Sequence, residues 1–433
     1  MDLLHANEAP GVWPRSWYLD TAPPAPERPP LQGAARAEVC VIGAGYTGLS
    51  TALHLAERGV AVRVVEAQFA GWGASGRNGG QVGVGQRVDQ PQLERMTDPD
   101  TARAAWEIGR DAAALVRALV ARHAIACAFK PGVMYVSHRR RLDAGSRAYA
   151  EHMAARHGHD AVYLDPAEVR DRLGARGVSA AVLEPSAGHL HPLSYARGLA
   201  AAAEAAGAVI HERSRVLAIE GREGALRVRV EGGELACDRA VLACNGYLGG
   251  LDPKVAARVM PINNFVCATE PLPRDRARAL IRDDVAVADS RFVVNYYRLT
   301  EDRRLLFGGG ESYGWRFPRD LPGFVRARML RVFPQLADVA VTHAWGGTLA
   351  ITPTRLPYFA EPRPGVLTAS GYSGSGVALA TMAGAVLAEA LTGERRRFEA
   401  MARLPVPAFP GGARLRRPLL VAAMLLAQLR DAL

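Results

Sequence analysis

Three glycines and a carboxylate at fixed spacing are the first residues of this 433-residue chain whose types suggest chemistry. Gly43, Gly45 and Gly48 form a G-x-G-x-x-G pattern, and Glu66 follows about 20 residues later. In such a pattern the first glycine makes a tight turn, the second lets the backbone approach a pyrophosphate, and the third lets a helix pack closely on a strand. The carboxylate accepts hydrogen bonds from ribose hydroxyls. Together the four residues predict a dinucleotide-binding site.

The elements that must hold these residues are also visible in the sequence. An apolar run ends at Gly43, and apolar side chains recur at helical spacing after Gly48. A helix-ending Gly59 then precedes a second apolar run at residues 60–65. The free N–H groups and partial positive charge of the helix N-terminus suit phosphates. The sequence therefore predicts a Rossmann-like unit, whose further cofactor contacts are Ala44, Tyr46 and Thr47.

A segment rich in glycine, serine and asparagine follows the second strand, at residues 70–81. It offers backbone donors with little side-chain bulk, which suits a ligand that continues past the ribose, as FAD does. A flexible surface loop is the alternative interpretation. The segment includes Ala74, Ser75, Arg77, Asn78, Gly79, Gly80 and Gln81.

A second strand, glycine turn and helix occur near the other end of the chain. Residues 365–370 have the composition of a buried strand, residues 371–376 form a glycine-rich turn, and residues 377–391 are typical of a helix. One glycine turn binds one pyrophosphate, so the second must serve another part of the ligand. A helix N-terminus aimed at the N1–C2=O edge of a flavin stabilises the negative charge that arises on reduction. The contacts predicted here are Gly371, Ser373, Gly374, Ser375, Gly376 and Val377, with Asn245 and Gly246 from another glycine turn and Trp345.

The densest cluster of aromatic rings and arginine is Tyr296, Tyr297 and Arg298, with Trp315 nearby. Sheet packing explains this cluster on one interpretation. On the other, a substrate pocket uses the rings to receive an amine and the arginine to hold a carboxylate. Tyr296 and Arg298 are the predicted substrate contacts, and no catalytic acid or base is assigned.

Composition narrows the classes of partner. The formal charge is +10, but the basic residues are scattered, which argues against nucleic acid and suits an anionic cofactor. The five cysteines form no CxxC, which indicates reduced thiols in the cytoplasm. The sequence has neither a signal-peptide pattern nor an apolar run long enough to span a membrane. His189 and His191 lie at i, i+2 on a predicted strand without a third ligand, so packing is favoured and no metal is predicted.

With these residues assembled, the chain resembles the D-amino-acid oxidase, glycine oxidase and sarcosine oxidase (DAO) superfamily of FAD enzymes. Within it, the likeness is strongest to the bacterial γ-glutamylputrescine oxidoreductases. It covers nearly the whole chain in unlinked motifs: VIGAGYTGLSTALHLAERG, GASGRNGGQV, VLACNGYL, NYYRLTEDRRLLFGGG, HAWGGTLAITPTRLPYF and GYSGSGVALA.

The resemblance implies an α/β fold. A discontinuous Rossmann-like FAD-binding domain is expected beside a second, mostly antiparallel-sheet α+β substrate domain. By the same resemblance, Val216 contacts adenine through its backbone. The resemblance also implies that the cofactor contacts between the pyrophosphate and the flavin are Ala74, Ser75, Arg77, Asn78, Gly79, Gly80 and Gln81. The implied division is an N-terminal arm at 1–35, an FAD-binding domain at 36–95, 185–255 and 340–395, a substrate domain at 96–184 and 256–339, and a C-terminal tail with a terminal helix at 396–433.

Departures from the family pattern concern the flavin. Related chains carry histidine where Ser375 stands, so the helix dipole remains without an imidazolium partner. Sarcosine oxidases bond the flavin through a cysteine near the position of Gly347, so non-covalent FAD is expected. Those enzymes also use a lysine to promote reaction with oxygen, whereas Lys130 and Lys254 are the only lysines here. The electron acceptor is therefore O2 or another acceptor.

The implied reaction is oxidation of an amine C–N bond by hydride transfer to flavin N5, followed by hydrolysis of the imine. The expected substrate is γ-glutamylputrescine or a related polyamine derivative. Oxidation or dehydrogenation of D-amino acids, glycine or sarcosine-type N-methyl amino acids is the nearest alternative. A non-catalytic nucleotide-binding protein is the second alternative, and the glycine turn at residues 371–376 argues against it. The sequence does not indicate an oligomeric state.

Overall fold

The computed structural model describes residues 2–312 and 314–411. The terminal helix expected within residues 417–433 lies outside the described residues. The helices, in chain order, are α1 (Trp17–Thr21), α2 (Tyr46–Ala56), α3 (Gln90–Met96), α4 (Pro99–Arg122), α5 (Asp143–His157), α6 (Pro166–Arg172), α7 (Pro192–Ala205), α8 (Pro253–Ala256), α9 (Arg274–Leu280), α10 (Leu321–Val332), α11 (Gly376–Leu391) and α12 (Arg396–Ala402).

The strands form two sheets. In chain order they are β1 (Gly33–Ile42), β2 (Val62–Val65), β3 (Gln81–Val82), β4 (Lys130–Val136), β5 (Val162–Leu164), β6 (Ala181–His189), β7 (Val209–His211), β8 (Val216–Arg222), β9 (Ala225–Val230), β10 (Gly233–Leu242), β11 (Met260–Thr269), β12 (Ala286–Asp289), β13 (Tyr296–Leu299), β14 (Leu305–Ser312), β15 (Val341–Ile351), β16 (Tyr358–Arg363) and β17 (Val366–Ser370).

The first sheet has a parallel centre that holds both glycine turns. Its order is β16-β17-β10-β1-β2-β7, and β8 and β9 extend it from β10. Strands β17, β10, β1, β2 and β7 run parallel to one another. Alternate residues of β1 enter different cores, with Val39 and Val41 on one face and Cys40 and Ile42 on the other. Burial on both faces is typical of a parallel strand in an α/β fold, and the predicted fold class is confirmed.

Two helices that begin at the two glycine turns pack directly on each other. A Cβ atom at Gly384 of α11 would lie 2.5 Å from the Cβ of Ser50 and 2.6 Å from the carbonyl oxygen of Thr47, both on α2. At the same contact the Ser50 hydroxyl donates to the carbonyl of Thr381 at 2.6 Å. The hydroxyls of Thr47 and Tyr372 are hydrogen-bonded at 2.6 Å, beside the two turns. This packing fixes the two helix N-termini next to each other.

The second sheet is mostly antiparallel. Its order is β15-β11-β14-β13-β12-β4-β6-β3, with β5 paired to β6. Only β12 and β4 run parallel among its described pairs. Strand β15 lies in this sheet, although the expected division assigns residues 340–395 to the FAD-binding domain. From this pairing we propose that the second domain extends to residue 351.

The N-terminal residues lie against the body and include a short helix, α1. Trp17 and Tyr18 are buried, and the Tyr18 hydroxyl donates to the carbonyl of Asn78 at 2.7 Å. Further along, the Arg28 guanidinium donates to the carboxylates of Glu204 and Glu212. These contacts attach the N-terminal residues to the glycine-rich segment at 70–81, to α7 and to the residue that follows β7.

His189 and His191 do not share a strand face. Strand β6 ends at His189, whose Nε2 donates to the carbonyl of Asp284 at 3.0 Å. His191 is instead the N-cap of α7, where its Nδ1 accepts from the backbone N–H of Ser194 at 3.1 Å. Both imidazoles therefore serve local structure. None of the helices in the described ranges is long and apolar enough to cross a membrane.

The close α2–α11 contact predicts that a methyl group added at Gly384 destabilises the fold, whereas one added at a helical glycine in open space does not. We expect Gly384→Ala to lower the free energy of unfolding by about 1–3 kcal/mol, because the methyl group has no space between the helices. Gly145→Ala on α5 is the control, since a Cβ there meets no atom within 4 Å and should be neutral or mildly stabilising. Urea unfolding of both purified variants measures the difference. Equal midpoints for the two variants would contradict the close packing.

Candidate active site

A cavity of about 1280 Å³ is walled by residues from both sheets. The first turn contributes Gly43 and Gly45 to its wall, and the second contributes Ser373 and Gly374. Cavities for drug-sized ligands usually measure roughly 300–1,000 Å³. This cavity therefore has room for a long ligand and a second, smaller molecule.

Most of the predicted cofactor contacts lie in this wall, together with Tyr296, a predicted substrate contact. The cofactor contacts found there are Gly43, Gly45, Tyr46, Thr47, Glu66, Ala74, Ser75, Arg77, Asn78, Gly79, Gln81, Val216, Asn245, Ser373, Gly374, Ser375, Gly376 and Val377. The predicted cofactor contacts outside it are Ala44, Gly48, Gly80, Gly246, Trp345 and Gly371. The structure thus brings segments that are distant in sequence to one cavity.

Glu66 organises the first turn through its backbone contacts. One carboxylate oxygen accepts from the N–H of Ala44 at 2.7 Å, and the other accepts from the N–H of Gln68 at 2.9 Å. Burial raises the pKa of Glu66, and these two hydrogen bonds oppose that effect. Because its N–H is engaged by Glu66, Ala44 supports the turn from behind rather than contributing a donor to the cavity.

Gly48 serves packing. A Cβ there would lie 1.8 Å from the carbonyl oxygen of Gly43, so only glycine lets α2 sit this close to the end of β1. Nearby, the hydroxyl of Ser75 accepts from the backbone N–H of Tyr46 at 3.0 Å, at the N-terminus of α2. Gly80 and Gly246 likewise sit close to backbone, since their added Cβ atoms would meet the carbonyl oxygens of other residues at 2.0 and 3.0 Å.

The second turn presents backbone to the cavity. Gly374 has φ +101°, and a Cβ built there meets no atom within 4 Å. Ser375, the N-cap of α11, makes no capping hydrogen bond through its side chain. Behind the turn, the Asn245 side chain accepts from the N–H of Gly371 at 2.9 Å. The result is a helix N-terminus whose first N–H groups remain available to an anionic or electron-rich group.

Arg298, a predicted substrate contact, is buried away from the cavity. Its side chain is only 4% exposed and is absent from the cavity wall. Its Nε donates to the carbonyl of Gly79 at 2.8 Å, and its Nη2 donates to the carbonyl of Leu190 at 3.0 Å. Arg298 therefore holds the glycine-rich segment in place. Trp345 has a comparable role, because its indole N–H donates to the carbonyl of Arg77 at 3.0 Å.

Tyr296 forms a flat aromatic part of the wall. Gly79 and Gly308 leave space for its ring, since Cβ atoms there would lie 2.6 and 2.0 Å from ring carbons. Its hydroxyl donates to the side-chain oxygen of Asn264 at 2.6 Å. Burial raises the pKa of Tyr296, so the phenol keeps its proton at neutral pH.

The sequence did not single out a further group of residues in the wall. We name it the outer lobe and define it as Arg87, Tyr135, Tyr149, Glu184 and Tyr296. Except for Arg87, which follows β3, these residues belong to the second sheet and to helix α5. A carboxylate within the apolar β6 segment was the available signal, because a charge inside a buried strand needs a special reason.

The lysines and the cavity-lining cysteine bear on the flavin chemistry. Lys130 pairs with Asp284 at 2.5 Å, Lys254 donates to the carbonyl of Pro362 at 2.6 Å, and neither lysine lines the cavity. Cys244 does line it, but burial raises the pKa of its thiol to about 12. A protonated thiol is a poor nucleophile, which favours the expected non-covalent attachment of FAD.

The residues of the cavity fit FAD on structural grounds. Gly374 leaves space that a side chain would fill, and α11 offers an uncapped N-terminus beside it. Glu66 supplies a buried carboxylate at the end of β2, near the first turn. The cavity volume of about 1280 Å³ also exceeds that of an ordinary small-molecule site.

Comparison with known proteins agrees with this fit. A family model described as FAD dependent oxidoreductase (DAO) matches residues 38–390. The probable oxidoreductase OrdL of Rhizobium meliloti (strain 1021) is 40% identical over 417 residues, which cover 96% of this chain and 97% of the relative. The γ-glutamylputrescine oxidoreductase of Escherichia coli (strain K12) is 37% identical over 404 residues, which cover 93% of this chain and 95% of the relative.

The fold also resembles solved structures. Glycine oxidase from Geobacillus kaustophilus superposes with a TM-score of 0.70 at 21% identity, covering 82% of this chain and 94% of that one. L-proline dehydrogenase from P.horikoshii gives a TM-score of 0.69 at 20% identity, covering 87% and 96%. At these identities the likeness concerns the fold.

The open space at Gly374 predicts that alanine at this position weakens FAD binding, whereas alanine at a glycine of similar φ outside the cavity does not. Gly374 and Gly393 have φ +101° and +105°, and added Cβ atoms meet nothing within 4 Å at either. Alanine is therefore similarly strained at both positions. Only Gly374→Ala places a methyl group at the cavity, so we expect it to raise the FAD dissociation constant by roughly tenfold or more. Flavin fluorescence titration of the apoproteins measures this, and equal affinities for both variants would contradict the assignment.

Proposed function

The chain belongs to the DAO family of FAD-dependent oxidoreductases, and on that premise we propose that it oxidises the primary amine of γ-glutamylputrescine or a related polyamine derivative. In general terms, the chain is an FAD-dependent amine or amino-acid oxidoreductase. The observation that carries the finer proposal is the full-length similarity to a γ-glutamylputrescine oxidoreductase. The chemistry of the outer lobe supports it independently.

The outer lobe suits an amine substrate. Tyr135, Tyr149 and Tyr296 contribute aromatic rings to it, and Glu184 contributes a carboxylate. Aromatic faces and carboxylates attract an ammonium group. Burial raises the pKa of each of these three phenols, so the rings stay neutral. The lobe therefore combines aromatic ring surface with an acidic group, Glu184, and a basic group, Arg87.

The chain's own residues prepare the amine for oxidation. When bound, FAD supplies the hydride acceptor, and no side chain of the protein needs that role. A cavity with little water lowers the pKa of the bound amine, because desolvation disfavours its charged form. Tyr296 lies in the wall with its proton directed to Asn264, so it shapes the site and is not assigned as a base. The residues we propose to hold FAD are those of the two glycine turns, segment 70–81, Glu66 and Val216.

The proposal also covers the electron acceptor and the cellular location. The electron acceptor is O2 or another acceptor, because neither lysine of the chain lines the cavity. A cytoplasmic location is consistent with the five cysteines, all of which are unpaired.

An amine panel tests the substrate assignment. The FAD-loaded protein is mixed anaerobically with γ-glutamylputrescine, putrescine, glycine, sarcosine and a D-amino acid, and loss of the oxidised flavin absorbance is followed. We expect γ-glutamylputrescine to bleach the flavin with the highest second-order rate constant, since it has both an amine and a second polar end for the outer lobe. Rapid bleaching by glycine or sarcosine alone would contradict the proposal and favour an amino-acid oxidase. Readmitting O2 then shows whether oxygen restores the absorbance.

A further inference from the structure

Arg87 is a positive charge in the cavity wall that lacks a direct ion pair among the described residues, although the charge of Glu311, which also lines the cavity, attracts it. Within residues 2–312 and 314–411 it makes no hydrogen bond or ion pair. The Arg87 side chain is exposed and lines the cavity, and desolvation by the surrounding protein lowers its pKa. A guanidinium stays charged at neutral pH. Its planar donors match a carboxylate in two parallel hydrogen bonds.

Glu184 is a carboxylate in the same outer lobe. Its Oε2 is 2.5 Å from Nε2 of His159, whose ring packs edge-on against Trp106 with centroids 5.0 Å apart. This contact fixes the orientation of the carboxylate. The other oxygen, Oε1, makes no hydrogen bond among the described residues and is not sealed off from the cavity. Oε1 is therefore available to accept from a cationic donor.

The position of Tyr135 indicates that Arg87 and Glu184 lie in the same part of the cavity. On the antiparallel strands β4 and β6 it pairs with Val182, two residues from Glu184, so the three side chains share one face. Burial raises the pKa of the Tyr135 phenol, the charge of Glu184 raises it further, and the charge of Arg87 opposes them. The phenol thus lies within electrostatic reach of both. The outer lobe presents a cation and an anion to the same bound molecule.

We propose that Arg87 and Glu184 form a clamp for an α-amino acid group at the end of the substrate that does not react. Arg87 binds its carboxylate, and Glu184 accepts from its ammonium group. This inference rests on the proposed function, because it assigns the γ-glutamyl end of γ-glutamylputrescine to the outer lobe. The other end of the substrate then carries the amine that is oxidised.

The same pair of charges explains discrimination against a free diamine. Putrescine has a cation at each end and no carboxylate, so its second ammonium group could reach Glu184 but would leave Arg87 without a partner and close to a like charge. Like charges in a site of low dielectric constant repel, and such repulsion is a common source of specificity. A zwitterionic end satisfies both Arg87 and Glu184. The clamp therefore selects a diamine that has first been joined to an amino acid through an amide bond.

Kinetics with two truncated substrates separates the two contacts. 4-Aminobutanoylputrescine lacks the α-carboxylate, and glutarylputrescine lacks the α-amino group. We expect Arg87→Gln to lower kcat/KM for γ-glutamylputrescine and glutarylputrescine by roughly 10- to 100-fold, and to leave kcat/KM for 4-aminobutanoylputrescine unchanged or to raise it, because a like charge is removed. Glu184→Gln should lower kcat/KM for γ-glutamylputrescine and 4-aminobutanoylputrescine and spare glutarylputrescine. Losses of equal size for all three substrates would overturn the clamp.

Matched variants guard against damage to the fold. Arg95→Gln removes an exposed arginine from α3, outside the cavity wall, and should behave as the unsubstituted protein. Arg87→Lys keeps the charge without the planar fork and should recover part of the lost activity. All variants are compared as FAD-loaded protein with the flavin content measured. An equal loss with Arg95→Gln would also overturn the assignment.

A binding measurement distinguishes failure of the clamp from failure of the proposed function. γ-Glutamyl-n-butylamide keeps the zwitterionic end and lacks the reacting amine, and its binding to the FAD-loaded protein is measured by calorimetry. We expect binding that weakens roughly 10- to 100-fold in Arg87→Gln. If γ-glutamylputrescine is not oxidised but this probe binds in an Arg87-dependent way, the clamp stands and the proposed reaction fails. If the probe does not bind, or binds Arg87→Gln equally well, the clamp is wrong whatever the reaction.

Discussion

The close contact between α2 and α11 is the constraint on which the rest of the site depends. Gly384 allows the two helices to approach until a methyl group would not fit between them. Each helix begins at a glycine turn, so their contact sets the two turns side by side although they come from opposite ends of the chain. The hydrogen bond between Thr47 and Tyr372 fixes the same relation at the turns themselves. A single long ligand can then meet both helix N-termini.

The second sheet completes the cavity from the other side. Arg298 and Trp345 extend from it and hold the glycine-rich segment at 70–81 by hydrogen bonds to backbone carbonyls. Tyr296 occupies the space left by Gly79 and Gly308 and so gives the wall its aromatic surface. The parallel sheet thus organises the part of the cavity suited to the dinucleotide, whereas the antiparallel sheet supplies the outer lobe. Under the proposed function, the first sheet would hold most of the cofactor and the second sheet would select the substrate.

The parts of the site that follow from local sequence were predictable, and those that depend on distant contacts were not. The G-x-G-x-x-G turn and Glu66 lie within one strand, helix and strand, so spacing alone locates them. The buried position of Arg298 was not predictable, because its neighbours, Gly79 and Leu190, are distant in sequence and contact it only in the folded chain. Arg87 and Glu184 carry no local motif, and only the convergence of two segments makes them a pair. The fold class was predictable because the apolar run of β1 indicates a strand that is buried on both faces.

If the proposed site is correct, one FAD molecule contacts both glycine turns at once. Hydrogen–deuterium exchange of the apoprotein and of the FAD-reconstituted protein tests it most directly, because backbone N–H groups are the proposed contacts. The account predicts that FAD slows exchange in residues 43–48 and in residues 371–377 together, with the same dependence on FAD concentration. Slowed exchange at residues 43–48 with no change at residues 371–377 would contradict it.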